Sequence, residues 1–188
     1  MFRNFVYNIQ EELQSNAYPG RGIILGRTKD NKKNVIAYFI MGRSENSRNR
    51  IFVETEDGIR TEAFDHSKMT DPSLIIYHTV RTCEGKTVVT NGDQTDTICE
   101  YLKQGKSYIE ALRTRQFEPD APNYTSRISA VVNEDGSYDI SILKNFTSDR
   151  TANKRFFYEY DKPVAGLGHF IHTYMCDGDP LPPFRGEP

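Results

Sequence analysis

The sequence predicts an α+β fold dominated by antiparallel sheet. Three observations predict it. Short β-rich runs recur in pairs across polar or glycine-bearing turns, as hairpins do. Residues of helical composition are segregated into the N-terminus and one middle stretch. The 188 residues are enough for one well-buried domain and too few for two comfortable ones.

Phe2, Phe5, Val6, Ile9 and Leu13 recur at helical spacing, so the first fifteen residues read as a short amphipathic helix, which Tyr18-Pro19-Gly20 breaks. Arg21 to Arg27 and Val35 to Met41 form the first expected hairpin across Lys29 to Asn34. Ile51 to Glu54 and Ile59 to Phe64 form the second across Glu56-Asp57-Gly58. Leu74 to Thr82 and Thr87 to Thr90 are β-rich and joined by Cys83-Glu84-Gly85-Lys86. Asp93 to Gln104 and Ser107 to Arg115 have helical composition, divided at Gly105. Arg127 to Asn133 and Tyr138 to Leu143 flank Glu134-Asp135-Gly136-Ser137, a strong hairpin signal. Arg155 to Tyr160 and Leu167 to Met175 follow as strands, before a polar, proline-rich tail from Asp177 to Pro188. Residues 1–188 therefore read as a single domain, with 1–17 as a helical extension and 177–188 as the tail. Two sheets covered by helices would bury most of these runs.

A net charge of −2 argues against a general nucleic-acid binder, although a few clustered arginines can still hold a phosphate. The three cysteines, Cys83, Cys99 and Cys176, are widely spaced and odd in number, which suits a reducing cytoplasm better than a disulfide-framed secreted domain. Met1 to Gln14 mixes polar and apolar residues and has the character of neither a signal peptide nor a membrane span. A cytoplasmic location is expected, with no membrane partner. The triplets Asn123-Tyr124-Thr125 and Asn145-Phe146-Thr147 then read as accidents of composition rather than glycosylation sites. Flat antiparallel sheets with open edges would suit a homo-oligomer.

The stretch Thr90-Asn91-Gly92-Asp93-Gln94-Thr95-Asp96-Thr97-Ile98 takes a strand into a helix, with Asp93 or Thr95 in position to cap it. Free N–H groups and the positive end of the helix dipole make such a place suitable for an anion, while simple capping, much the commoner arrangement, accounts for it as well. Arg21, Arg27, Arg43, Arg48 and Arg50 gather around two expected hairpins, and guanidinium forks match phosphate oxygens, though solvated loop arginines are the plainer reading of any one of them. Phe117-Glu118-Pro119-Asp120-Ala121-Pro122-Asn123 holds Glu118 between prolines, as an acid, base or acceptor or as an exposed loop carboxylate. His169, His172 and Cys176 would share one face of a helix, but Gly166, Gly168, Phe170, Ile171 and Tyr174 favour a strand, which puts the two histidines on opposite faces. No metal site is expected there. Phosphate-loop, dinucleotide-binding and Gly-x-Ser-x-Gly patterns do not occur in the sequence.

These residues resemble the archaeal-type IMP cyclohydrolases. The similar segments run in order: Tyr18-Pro19-Gly20-Arg21 with Gly26-Arg27, Ala37-Tyr38, Arg43-Ser44, Asn49-Arg50, Asp71-Pro72 with Ile76-Tyr77, Val88 to Ile98, and Glu118 with Asn123 and Arg127-Ile128. The resemblance covers residues 18–132; the loop from Arg43 to Arg50 is longer than the family's. It implies a four-layer αββα sandwich similar to the N-terminal-nucleophile (Ntn) hydrolases but without the nucleophile, because Arg21 begins the first strand. The implied activity is ring closure of 5-formamidoimidazole-4-carboxamide ribonucleotide (FAICAR) to IMP with loss of water, the last step of purine biosynthesis. The implied partner is that small phosphorylated ribonucleotide, with no metal and no cofactor.

By motif position the resemblance implies that Arg50, Tyr77 and Glu118 carry the chemistry. Arg50 and Tyr77 would donate to the developing oxyanion, and Glu118 would orient or deprotonate the carboxamide. Arg21, Arg27, Arg43, Ser44, Asn49, Asn91, Gly92, Asp93, Thr95, Asp96, Asn123 and Arg127 are the implied substrate-binding residues, the first three arginines and the 91–96 turn toward phosphate and ribose. Two alternatives stay open: a purine-nucleotide-binding regulatory protein without turnover, and an amide hydrolase of the Ntn type.

Overall fold

The computed structural model describes residues 6–145 and 152–188. Phe2 and Phe5 of the expected N-terminal helix, and Phe146 and Thr147 of the second triplet, lie outside the described residues.

Helix α1 (Ile9–Ser15) is shorter than the sequence pattern predicts and starts where Asn8 accepts a hydrogen bond from the Gln10 N–H. It buries no residue, so its apolar side chains do not make it a packed layer. Strands β1 (Arg21–Arg27) and β2 (Asn34–Ile40) form the first hairpin. Helix α2 (Glu45–Arg48) occupies part of the stretch expected to be loop, capped by Ser44. Then follow β3 (Arg50–Thr55), β4 (Gly58–Ala63), β5 (His78–Cys83) and β6 (Lys86–Thr90). Helices α3 (Gln94–Lys103) and α4 (Tyr108–Arg113) are split at Gly105, which takes a positive φ of 72°. Strands β7 (Arg127–Val132), β8 (Tyr138–Asn145), β9 (Asn153–Tyr160) and β10 (Gly168–His172) complete the described strands.

The strands form two sheets. Seven run antiparallel in the order β3-β4-β5-β6-β7-β8-β9, and three in the order β10-β1-β2. The expected hairpins are all present. What the pairs could not show is that the last described strand returns to the first: Ile23 of β1 lies opposite both Ile171 and Tyr38.

Alternation explains the layers. Ile23 and Leu25 of β1 point at Ile128, Ala130 and Val132 of β7 and at Ile140 and Ile142 of β8, so the two sheets share one core. Val131 and Leu143, on the other faces of the same strands, pack against Ile98, Cys99, Ala111 and Leu112 of α3 and α4. All of β7 is buried, which accounts for the uninterrupted run of small and apolar residues from Ile128 to Val132. Burying one such isoleucine side chain is worth about 1.5–3 kcal/mol.

The mixed fold with mostly antiparallel sheets and few helices is therefore the one expected. Among the described residues, packed helices cover the seven-stranded sheet only. On the outer face of the three-stranded sheet Val35 and Ala37 are exposed, while Phe39 and Phe170 are half-buried. A Cβ on Gly22 would stand 2.4 Å from the Phe39 ring, which with Phe170 lies over the glycine. The cysteines differ from the expected pattern. Cys83, ending β5, and Cys99 in α3 form a disulfide with Cα atoms 5.8 Å apart, while Cys176 is free and exposed. Their sequence spacing concealed a helix lying directly on a strand end.

Candidate functional site

The site lies where β1, β2 and β3 meet the segments before β5 and β7. Arg21 begins β1, and its backbone N–H donates to Thr173 Oγ1 at 3.1 Å. Gly20 ahead of it has φ 75° and no room for a Cβ, which would stand 2.2 Å from Thr173 Oγ1. The buried Arg21 guanidinium reaches to 4.0 Å from Glu118 Oε2. Its buried Nε has no hydrogen-bond partner among the described residues. Burial favours the neutral form of Arg21, but Glu118 and the hydroxyls of Tyr77, Tyr174 and Tyr38 outweigh it and raise the pKa above the ordinary range.

Glu118 is 1% exposed. Its N–H donates to the Thr125 carbonyl at 2.8 Å, and Asp120 braces the loop by accepting from the Thr125 N–H at 2.7 Å. Glu118 Oε1 has no hydrogen-bond partner among the described residues. Burial pushes its pKa up to about 7, with Arg21 and then Arg127 pulling the other way. A carboxyl group poised near neutrality can hold or release a proton under ordinary conditions.

Tyr77 stands just before β5, not inside a strand beginning at Leu74. Residues Pro72–Ile76 turn back on themselves, the Ile76 N–H donating to the Pro72 carbonyl at 2.9 Å. The register of β4 against β5 shifts at Ile59/Arg60, and Thr61 fills the gap: Tyr77 N–H donates to Thr61 Oγ1 at 3.0 Å, and that hydroxyl donates to the Ile75 carbonyl at 2.7 Å. The hydroxyls of Tyr77 and Tyr38 meet at 2.9 Å. Burial and then Tyr77 raise the pKa of Tyr38, against the opposing charges of Arg21 and Arg50. Arg50, opening β3, donates from Nε to the Ser47 carbonyl at 2.8 Å and leaves Nη2 buried without a hydrogen-bond partner among the described residues. A cavity of about 160 Å³ lies beside it, lined also by Ile40, Arg48 and Thr61.

Arg127 approaches Glu118 from the helical side. Its Nη1 lies 2.6 Å from both Gln94 Oε1 and Asp93 Oδ1, and Asp93 also pairs with Arg115. Asp93 does occupy the cap position of α3, but its side chain makes no capping bond and serves the arginines instead. Gly92 lets these groups converge. A Cβ there would lie 2.5 Å from Arg127 Nη1, 2.7 Å from Gln94 Oε1 and 3.4 Å from Glu118 Oε1.

Of the residues expected at the site, Arg21, Arg50, Tyr77, Gly92, Asp93, Glu118 and Arg127 come together. The others have different surroundings. Arg27 lies at the opposite end of β1, where Nη1 donates to Asn34 Oδ1 at 2.7 Å. Arg43 donates to Asp177 Oδ1 at 3.1 Å and the Gly178 carbonyl at 2.8 Å, holding the tail. Ser44 caps α2, and Asn49 exchanges two 2.8 Å hydrogen bonds with the backbone of Asp65. The Asn91 amide is committed to Ser126, Gln94 and Ile128, and Thr95 to Thr90 and the His78 carbonyl. Asp96 pairs with His78 and Arg81, and Asn123 accepts from the Leu181 N–H at 3.0 Å.

Tyr38, Tyr174, Gln94 and Arg115 were given no role at the site from sequence. Tyr38 had a signal, since Ile36, Tyr38 and Ile40 occupy alternate positions of a strand. Tyr174 meets Thr125 Oγ1 and stacks on Tyr18, and nothing in its local pattern indicates that. The histidines lie as the strand reading requires: His169 meets the Tyr138 hydroxyl at 2.7 Å, and His172 stacks on Phe170 at 4.8 Å. Among the described residues no group of three or more His, Cys, Asp or Glu is placed to hold a metal ion. No helix there is long and apolar enough to cross a membrane.

Fold and site together define a two-sheet protein with a buried carboxyl group, Glu118, set among arginines and tyrosines. The chain belongs to the IMP cyclohydrolase-like protein family, whose sequence pattern matches residues 18–185. The match runs well past residue 132, so the C-terminal strands are part of the family's pattern too. Among its relatives, the IMP cyclohydrolase of Methanococcus aeolicus is 26% identical over 164 residues, covering 85% of this chain and 75% of the relative. That of Methanopyrus kandleri is 29% identical over 164 residues, covering 84% and 75%. That of Halobacterium salinarum is 30% identical over 131 residues, covering 68% and 63%.

Proposed function

We propose that this chain is an IMP cyclohydrolase that closes the purine ring of FAICAR to give IMP and water. The observation that carries the reading is the buried Glu118 carboxyl, with Arg21 on one side, Arg127 on the other and a pKa of about 7.

The reaction asks for such a group. The carboxamide nitrogen attacks the formyl carbon of the same molecule, forming the N–C bond of the new ring. Holding the two groups in attacking geometry supplies much of the acceleration. The nitrogen must lose a proton, and Glu118 in its ionised form is the acceptor. The formyl oxygen gathers negative charge, which Tyr77 and Arg50 stabilise as donors. The C–O bond then breaks as the ring C=N bond forms, and the oxygen leaves as water with two protons, the one that Glu118 took from the carboxamide and returns and one released by the formamide nitrogen. Either hydroxyl can donate in the Tyr38–Tyr77 pair, and with Tyr38 as the donor the Tyr77 proton is free for substrate. Arg21 holds the site positive and aligns Glu118. In this reading the two packed sheets correspond to an Ntn-hydrolase-like sandwich, with Arg21 where those enzymes carry their nucleophile.

The test is the ultraviolet absorbance change when purified protein meets FAICAR, with Glu118→Gln and Tyr77→Phe beside it. IMP formation by the wild type, lost in Glu118→Gln and strongly reduced in Tyr77→Phe, is the expected result. Binding of IMP with turnover no faster than the uncatalysed reaction would make the chain a nucleotide-binding protein instead.

A further inference from the structure

Behind Glu118, on the helical side of the seven-stranded sheet, lies a second cavity of about 310 Å³ at the C-terminal end of α4. Arg115, Arg127 and Arg155 line it together with Thr114 and Gln116. We propose that it is a phosphate-binding site, taking inorganic phosphate or the phosphate group of a nucleoside monophosphate.

Charge is the first argument. Three guanidiniums meet here, and among the described residues the carboxylate ion-paired with them is Asp93, which bridges Arg115 and Arg127. The cavity keeps a positive excess that an anion would offset. Donor supply is the second. Arg127 is 5% exposed, and its buried Nε has no hydrogen-bond partner among the described residues, a costly state that a ligand oxygen would relieve.

Rigidity is the third. Arg155 donates from Nε to the Leu112 carbonyl at 3.2 Å, and from Nη2 to the Arg113 and Arg115 carbonyls at 3.1 and 2.8 Å. Its fork is fixed by the end of α4 before any ligand arrives. Arg115 and Arg127 are likewise fixed through Asp93. A site ordered in advance loses little freedom on binding, and planar guanidiniums suit phosphate oxygens.

The place is different from the pocket around Tyr77. On β7, Arg127 shares the helical face with Val131, whereas Ile128 and Ala130 face the other sheet. Arg155 lies opposite Leu143, which also belongs to the helical side. Arg127 nevertheless acts on Glu118, lowering its affinity for a proton. A phosphate against Arg127 would weaken that pull, so occupancy of this cavity would bias Glu118 toward its protonated form.

The experiment is calorimetric titration of the full chain with inorganic phosphate at low ionic strength in a phosphate-free buffer. Wild type, Arg115→Gln and Arg50→Gln are compared, with thermal melts to verify folding. One phosphate per chain is expected, with affinity about tenfold or more weaker in Arg115→Gln and nearly unchanged in Arg50→Gln. Gln116→Glu, at an exposed position, is the second variant should Arg115→Gln melt early, and its added carboxylate is expected to abolish binding. Absence of binding up to about 10 mM, a plain millimolar failure, would overturn the proposal. So would affinity lost in Arg50→Gln and kept in Arg115→Gln.

The titration is then repeated on protein saturated with IMP. Undiminished phosphate binding identifies free phosphate as the ligand, and Arg115-dependent competition identifies the nucleotide's phosphate; both keep the site. A wild type that binds phosphate and not IMP leaves the cavity standing and removes the cyclohydrolase reading.

Discussion

Arg21 Nη2 lies 4.0 Å from Glu118 Oε2, and both side chains are almost entirely withdrawn from solvent. The separation is longer than a direct hydrogen bond, so the arginine attracts the carboxylate without satisfying it. Burial therefore prevails, and the carboxyl holds its proton up to about pH 7 instead of the ordinary 4.5. Two consequences follow in opposite directions of pH.

For catalysis, the ionised carboxylate is the working base. Activity measured as kcat/KM should fall toward acid with a midpoint near pH 7, and Glu118→Gln should remove what remains. A profile flat down to pH 5 would take Glu118 out of the proton-transfer role. For stability the sign is reversed. Between pH 4.5 and about 7 the folded chain holds a proton on Glu118 that the unfolded chain has released, so stability declines as pH rises through that window. Urea unfolding at several pH values measures the decline, and Glu118→Gln should abolish that part of it.

The paired hydroxyls of Tyr38 and Tyr77 give a second expectation. Tyr77→Phe removes a proposed oxyanion donor and should lower kcat about 100-fold or more. Tyr38→Phe should lower it by about tenfold, since it only frees Tyr77 from one hydrogen bond. Because the two act in series, Tyr38→Phe should cost almost nothing in a chain that already carries Tyr77→Phe. Additive losses in the double variant would show that the two hydroxyls work independently.

Gly92→Ala should be harmful although it adds a single methyl group. The new carbon would meet the ends of Arg127 and Gln94, both buried and both already hydrogen-bonded to each other. Overpacking of this kind costs about 1–3 kcal/mol. Thermal denaturation should show that loss, and turnover should fall further than stability because Arg127 must move away from Glu118.

Asn49→Ala separates support from contact with substrate. The amide closes two hydrogen bonds to Asp65, so its loss should destabilise the chain by about 1–3 kcal/mol. Affinity for IMP in the folded fraction should remain close to wild type. A selective loss of affinity without a change in stability would return Asn49 to the binding surface.

Hairpin partners were legible in the sequence because each is a local matter of alternation and turn chemistry. The layering was not. Whether a buried strand faces a helix or a second sheet depends on residues far along the chain, and β7 is apolar toward both. The arginines make the same point. Arg21 and Arg27 look like neighbours in a cluster, yet six residues of extended strand separate them by roughly 20 Å. Glu118 was legible by its resemblance to a family pattern, while its burial came from a loop braced by Asp120 and Thr125. Cys83 and Cys99 show the converse: residues that look distant are joined because α3 lies across the end of β5.

One last consequence concerns the order in which the chain can assemble. β1 is the middle strand of its sheet, with β2 next to it in sequence and β10 arriving from near the other end. Arg21 is tied to Thr173, 152 positions later. Closing a loop of that length costs about 4 kcal/mol in chain entropy before any contact repays it. As the polypeptide leaves the ribosome, the first hairpin must therefore wait with one edge open until Gly168–His172 has been made. The pocket is thus completed only once Thr173 has been made, and a nascent chain stopped before it would hold every residue assigned to the chemistry and still have no site.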